Sequence, residues 1–331
     1  MTDLPTGSEQ PRRGPVLALL AALRPKQWIK NLFVFGPLLF SRRMREFTTD
    51  LRALTAFVLF CLASSAVYIL NDVMDVEADR QHPRKRFRPI AAGEISRSSA
   101  LTLALLLVVV VLICSLLLSP VFAALILTYM VLNTAYSLGL KQVVIIDVMI
   151  IGAGFVLRVL GGAAAIGVSP SHWLVLCTIL LSVFLGFTKR RAELTLLQDK
   201  ASDHREVLYR YSPAFLDQMV SVVTAATLMC YILYTVDART LRVVTGESRG
   251  LLLTVPFVMY GIFRYLYVVY RLERGGSPTT ALLHDKMLLA CIALWALLCM
   301  AVIYSPEHFK GWFSREVDQV AKNNPEKSAH E

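Results

Sequence analysis

The run Asn71-Asp72-Val73-Met74-Asp75-Val76-Glu77-Ala78-Asp79-Arg80 carries the clearest chemistry in this chain. At about 100° per residue on a helix, Asp75 and Asp79 fall roughly 60° and 20° from Asp72, on one stripe. Three carboxylates so placed repel one another unless a cation sits among them. Mg2+ suits such a set, because one or two carboxylates commonly share it with the phosphates of a substrate. The loop beyond, Arg84-Lys85-Arg86-Phe87-Arg88, offers guanidinium forks and an ammonium charge for phosphate oxygens. Acid and base side by side predict a metal–phosphate site, with Asp72, Asp75 and Asp79 as the metal ligands. The bland alternative is a solvated loop with charges at a helix end.

The elements that must position these groups are membrane helices. The chain has 331 residues, 56% of them hydrophobic, too apolar for an ordinary soluble domain. Apolar stretches recur at 28–41, 52–71, 99–118, 121–138, 144–165, 172–188, 215–235, 251–270 and 286–304. Most approach the ~20 residues that cross a hydrocarbon core of about 30 Å. The first is short and interrupted by Pro37. The short alternating segments of a membrane β-barrel are absent. The expectation is an all-α, polytopic membrane protein with nine transmembrane helices. Residues 1–23 read as an N-terminal interfacial segment, 24–304 as the transmembrane catalytic domain, and 305–331 as a polar tail. The apolar run Val16–Leu23 is too short, and too poor in a cleavage signal, for a signal peptide.

With the N-terminus inside, the inner segments carry 21 Lys and Arg against 11 outside. That bias predicts a cytoplasmic N-terminus and a cytoplasmic acidic stripe. The net charge of +10 is divided among loops, which speaks for lipid headgroups and phosphate substrates and against nucleic acid. The six cysteines lie in apolar spans without CxxC spacing and read as small hydrophobes.

Further groups gather at the same face. Lys189-Arg190-Arg191-Ala192-Glu193 closes span 172–188, with Lys189 and Glu193 one turn apart. Asp147 and Arg158 lie within span 144–165, where ionisable groups usually face a cavity or a partner. Gly152, Gly154, Gly161 and Gly162 on that span allow close helix approach and permit self-assembly. The segment Tyr136-to-Lys141 lies between spans, and Lys26 and Lys30 near the start place further charge on the same side. The lysines suit a lipid phosphate or headgroups, and Arg158 suits a structural pairing as well as a ligand.

Three runs in this order resemble one family: Arg24-Pro25-Lys26-Gln27-Trp28-Ile29-Lys30-Asn31, the Asn71-to-Asp79 motif, and Lys85-Arg86-Phe87-Arg88-Pro89-Ile90. They are similar to the UbiA prenyltransferase superfamily, and within it to the bacterial decaprenyl-phosphate phosphoribosyltransferase branch. The likeness runs from about Leu19 to Tyr304. It implies nine helices around a cytoplasm-facing cavity and Mg2+-dependent transfer of 5-phosphoribose from phosphoribosyl diphosphate (PRPP) to a polyprenyl phosphate. The product would be a lipid-linked pentose precursor for arabinose donors or another cell-envelope glycan. By the same resemblance, Asn71, Asp72, Asp75 and Asp79 hold Mg2+ and diphosphate, with Glu193 beside them in the catalytic set. Arg80, Lys85, Arg86, Arg88, Tyr136, Lys141, Asp147, Arg158, Lys189, Arg190, Arg191, Lys26 and Lys30 are the expected substrate-binding groups. Aromatic prenyltransferases of the superfamily usually carry a second Asp-rich motif, and this chain has Lys189–Glu193 in its place.

That departure fits PRPP, whose 5-phosphate needs cations away from the metal; replacing Arg190 is then expected to raise the PRPP requirement. The second reading is a prenyltransferase joining a prenyl diphosphate to an aromatic acceptor. A third, a transporter with broken helices, lacks an inverted repeat in support.

Overall fold

The computed structural model describes residues 13–82, 85–198, 210–237, 240, 244, 249–271 and 284–309. Arg84 and the tail from 310 onward lie outside these. Among the described residues the chain is all-helical, and eight helices are long and apolar enough to cross a membrane. They are α3 (Phe47–Met74), α5 (Arg97–Leu118), α6 (Pro120–Leu138), α7 (Ile146–Ile166), α8 (His172–Gln198), α9 (Pro213–Val236), α10 (Val255–Arg271, led in by a 3-10 turn) and α11 (Lys286–Tyr304). Shorter helices are α1 (Pro15–Leu23), α2 (Gly36–Phe40) and α4 (Val76–Gln81).

Local sequence sets where the long helices begin. Ser96, Ser119, Ser212 and Asp285 each accept a bond from the backbone N–H three residues on, capping α5, α6, α9 and α11. Pro120 and Pro213 follow two of these caps at the first helical position, where the missing N–H costs nothing.

The expected first span is not a continuous α-helix. Pro25–Phe35 is a 3-10 helix that leads into α2. Pro25, Gly36 and Pro37 each disfavour an uninterrupted α-helix here. At about 2.0 Å rise per 3-10 residue the two pieces together still reach roughly 30 Å. Their ends contact opposite ends of the neighbouring long helices. Arg24 pairs with Asp72 at the C-terminal end of α3, whereas Leu38 and Met44 bond the Tyr304 hydroxyl at the end of α11. Eleven residues of 3-10 helix is long for that geometry, and tertiary contacts hold it.

Helix α7 is the chief of those contacts. A Cβ on Gly162 would lie 2.0 Å from the Val34 carbonyl oxygen, and one on Gly161 2.6 Å from the Phe60 ring. Only glycine lets the irregular segment and α3 approach α7 so closely. On the other side Gly186 of α8 takes the Val148 side chain, again at 2.6 Å from an added Cβ. One core cluster joins α3, α5, α6 and α7 through Phe60, Phe122, Ile126 and Tyr129. Another joins α7, α8, α9 and α10 through Val148, Phe184, Leu216 and Tyr265. At the edge of the bundle Arg264 of α10 bonds Asp285 at the start of α11, at 2.8 Å. That guanidinium holds the Asp285 carboxyl below the usual carboxylate range.

Candidate active site

The acidic stripe is bent. α3 ends at Met74 and α4 begins at Val76, so Asp75 sits in the break with φ −91° and ψ 9°. Asp72 and Asp79 stay together and buried, while Asp75, 45% exposed, faces Lys141 at 3.9 Å. The single helix expected to carry all three carboxylates is therefore two helices, and the carboxylates divide two and one.

Arg88 joins the buried pair: its Nη1 donates to Asp72 Oδ1 at 3.0 Å and to Asp79 Oδ2 at 2.5 Å. Arg24 donates to the same Asp72 oxygen and stacks over the Tyr68 ring. Lys85 lies 4.0 Å from the other oxygen of Asp79. Arg80 instead bonds Glu77 and the Ala91 carbonyl, Arg86 packs on Phe87 at the surface, and Lys26 is exposed. Two buried carboxylates around one guanidinium make a charge-assisted clamp.

A second ionic knot lies across α6, α7 and α8. Arg190 is 0% exposed. It donates to Asp147 Oδ2 at 2.6 Å, Glu193 Oε2 at 2.6 Å and the Tyr136 hydroxyl at 3.1 Å. Tyr211 donates to the other Asp147 oxygen at 2.7 Å and accepts from the Ile145 N–H at 2.6 Å. Burial, and the bond to Asp147, push the Tyr211 hydroxyl above its ordinary range, so it stays a donor. Lys189 pairs with Glu193 at 3.6 Å, and Arg191 turns to Asp217 at 2.8 Å and to Thr195. The expected cluster of phosphate-binding cations is thus largely matched by Asp147, Glu193 and Asp217. Its Arg190 ties helices together. The Tyr136-to-Lys141 segment links the two groups, its tyrosine bonding Arg190 and its lysine facing Asp75.

Deeper in the bundle Arg158 bonds Asn31 Oδ1 at 2.7 Å, the Gly154 carbonyl at 2.7 Å and the Tyr129 hydroxyl at 2.9 Å. Asn31 in turn donates to Ser64 and Cys61 of α3. Trp28 donates to Ser65. Of the residues in these networks, Arg24 and Asn31 were visible within a motif but not singled out as site groups. Tyr211, Tyr129 and Asp217 gave no signal, since each is a lone polar residue in an apolar or loop context.

Among the described residues no group of three or more His, Cys, Asp or Glu side chains is arranged to hold a metal ion. Mg2+ does not need one, given a substrate phosphate as co-ligand. Asp72 and Asp79 already converge on one cationic nitrogen, and the neighbouring Asn71 Oδ1 is buried without a hydrogen-bond donor. Two carboxylates and a spare amide oxygen form an oxygen-rich donor set that fits a hard divalent cation.

Eight helices long and apolar enough to span a membrane, with buried carboxylates and arginines drawn together from several of them, define a multi-pass membrane protein with an ionic interior. The chain belongs to the UbiA prenyltransferase family, whose model matches residues 34–292. It is 33% identical over 299 residues to a decaprenyl-phosphate phosphoribosyltransferase of Corynebacterium glutamicum, covering 89% of each chain. It is 35% identical over 310 residues to one from Mycolicibacterium smegmatis, covering 89% of this chain and 96% of that one. Among solved structures, a UbiA homolog from Archaeoglobus fulgidus bound to GPP and Mg2+ matches with a TM-score of 0.63 at 15% identity, over 87% of this chain and 99% of that one. At that identity the likeness establishes the fold alone.

Proposed function

We propose that the protein transfers 5-phosphoribose from PRPP to a polyprenyl phosphate at the cytoplasmic face of the bacterial plasma membrane. The observation that carries this reading is the contrast between the two ionic groups. One is an acidic pair, Asp72 and Asp79, suited to a metal and a diphosphate. The other is sealed around Arg190, whose guanidinium occupies Asp147 and Glu193, so no second open carboxylate pair stands where a prenyl-diphosphate transferase of the family would usually place an Asp-rich motif. The similarity to curated phosphoribosyltransferases over most of the chain supports it.

In the reaction the bond from ribose C1 to the diphosphate oxygen breaks, an acceptor phosphate oxygen bonds C1, and diphosphate leaves. Asp72, Asp79 and Asn71 would hold Mg2+, which supplies charge stabilisation for the departing diphosphate. Arg24, Arg88 and Lys85 stand within reach of the same anion and add fixed positive charge there. Lys141 orients Asp75 at the rim. The acceptor phosphate is mostly ionised near pH 7, with a second pKa of about 6, so positioning matters more than a general base.

The test is to incubate purified protein with Mg2+, ribose-labelled PRPP and a polyprenyl phosphate, and to follow label into the organic phase. The expected result is Mg2+-dependent labelled lipid, abolished by Asp72→Ala. Unchanged transfer by Asp72→Ala would remove the metal assignment.

A further inference from the structure

Arg158 and Arg190 are the two cations buried among the described residues, and their surroundings are opposite. Arg190 has two carboxylates on it. Arg158, 6% exposed, has none: its partners are an amide oxygen, a carbonyl, a phenol and the ring faces of Tyr129 and Phe155 at 4.7 and 5.3 Å. Its three hydrogen bonds leave two of the five guanidinium N–H groups for another acceptor. Lys30 is half-buried beside Asn31, and its ammonium makes no hydrogen bond or ion pair with a described residue. Its neighbour in the chain, Asn31, bonds the Arg158 guanidinium, so the two cations flank one another.

Two cations without a carboxylate, inside a membrane protein, are costly unless an anion joins them. The depth of the site follows from α3. Asn31 bonds Ser64, and Asp72 is eight residues further along the same helix, so Arg158 lies roughly 12 Å beneath the acidic pair. An acidic pair can accept a diphosphate only with a metal between them. Cations free of carboxylates can take a phosphate dianion directly.

We propose that Lys30 and Arg158 form a separate subsite for a phosphate monoester that binds without a metal, beneath the Asp72–Asp79 pole. The proposal rests on the phosphoribosyl-transfer reading, in which two monoesters occur: the head of the polyprenyl phosphate and the 5-phosphate of PRPP. Lys30 contacts the anion, and Arg158, fixed by Asn31, Gly154 and Tyr129, sets the floor.

The experiment uses the full-length protein in detergent with EDTA, titrated separately with farnesyl phosphate and ribose 5-phosphate. Lys30→Met is expected to weaken metal-free binding of at least one probe tenfold or more. Its affinity for imidodiphosphate with Mg2+ should stay within twofold, and Lys30→Arg should recover monoester binding. Loss confined to farnesyl phosphate assigns the subsite to the acceptor, and loss confined to ribose 5-phosphate assigns it to the donor. Without anion, Lys30→Met should melt no lower than wild type, because it removes an unmatched charge; a structural lysine would show the reverse. Unchanged monoester affinity, or equal losses for monoester and Mg2+-imidodiphosphate, would overturn the subsite. Wild-type transfer from PRPP with unaltered monoester binding in Lys30→Met would sink the subsite alone. Absence of transfer by wild type, with the binding losses intact, would sink the phosphoribosyl reading and leave the subsite standing.

Discussion

Arg88 and Arg190 are both guanidiniums between two carboxylates, and their burial gives them different work. Arg88 sits at the partly exposed end of its clamp, where a metal cation is a natural competitor for Asp72 and Asp79. Arg88→Gln should cost about 1.5–3 kcal/mol by removing the charge-assisted bonds that bridge Asp72 and Asp79, which keep Arg24 and Lys85 as their remaining cations. Mg2+ should then raise the melting temperature of the variant more than that of wild type. Equal Mg2+ shifts would mean that the pair does not bind the cation. Arg190 is sealed in, so Arg190→Met should destabilise the bundle by about 3–5 kcal/mol, leaving the Asp147 charge with only the Tyr211 hydroxyl and Glu193 with Lys189 alone. The double variant Arg190→Met/Asp147→Leu should be milder than Arg190→Met alone, measured as melting temperature in detergent. At this scale the sequence named the charged centres Asp72, Asp79, Arg88, Asp147, Arg158 and Arg190 but not the partners Arg24, Asn31, Tyr129, Tyr211 and Asp217. It could not say which cations are already matched, because Arg190 meets Asp147 and Tyr136 only through helix packing.

Helix α7 shows how element geometry constrains the site from both ends. Near its far end Gly162 holds the Val34 carbonyl against its backbone, and Gly162→Ala forces two backbones apart. The expected loss is about 1–3 kcal/mol or more. At its start Ile145 has φ 70° and ψ −46°, a conformation that a β-branched residue avoids, held by the bond from its N–H to Tyr211. Ile145→Gly relieves strain of about 1–3 kcal/mol against a glycine entropy cost of about 0.5–1. It should therefore raise the melting temperature, while Gly162→Ala lowers it. A fall in both would show that the turn at Ile145 is not strained. The glycines and the long spans were legible from composition and hydropathy. The break at Asp75 and the 3-10 crossing at Pro25–Phe35 were not, because hydropathy reports burial and length but not which helical hydrogen bonds form.

Across the whole molecule, the even spacing of apolar stretches made the all-helical membrane fold readable, and the chain's polar order made its family readable. The ends of the helices then bring Asp72, Asp79, Lys141 and Arg190 to one end of the bundle from α3, α4, the 3-10 turn after α6, and α8. That gathering is a tertiary fact, foreshadowed only by alternation of the spans. The choice of donor is the central claim. The direct measurement offers the purified protein equal concentrations of labelled PRPP and a labelled prenyl diphosphate, with Mg2+, a polyprenyl phosphate and an aromatic acid. Ribose label alone is expected to enter the lipid product, with its 5-phosphate retained. Prenyl label on the aromatic acid, with PRPP untouched, would contradict it.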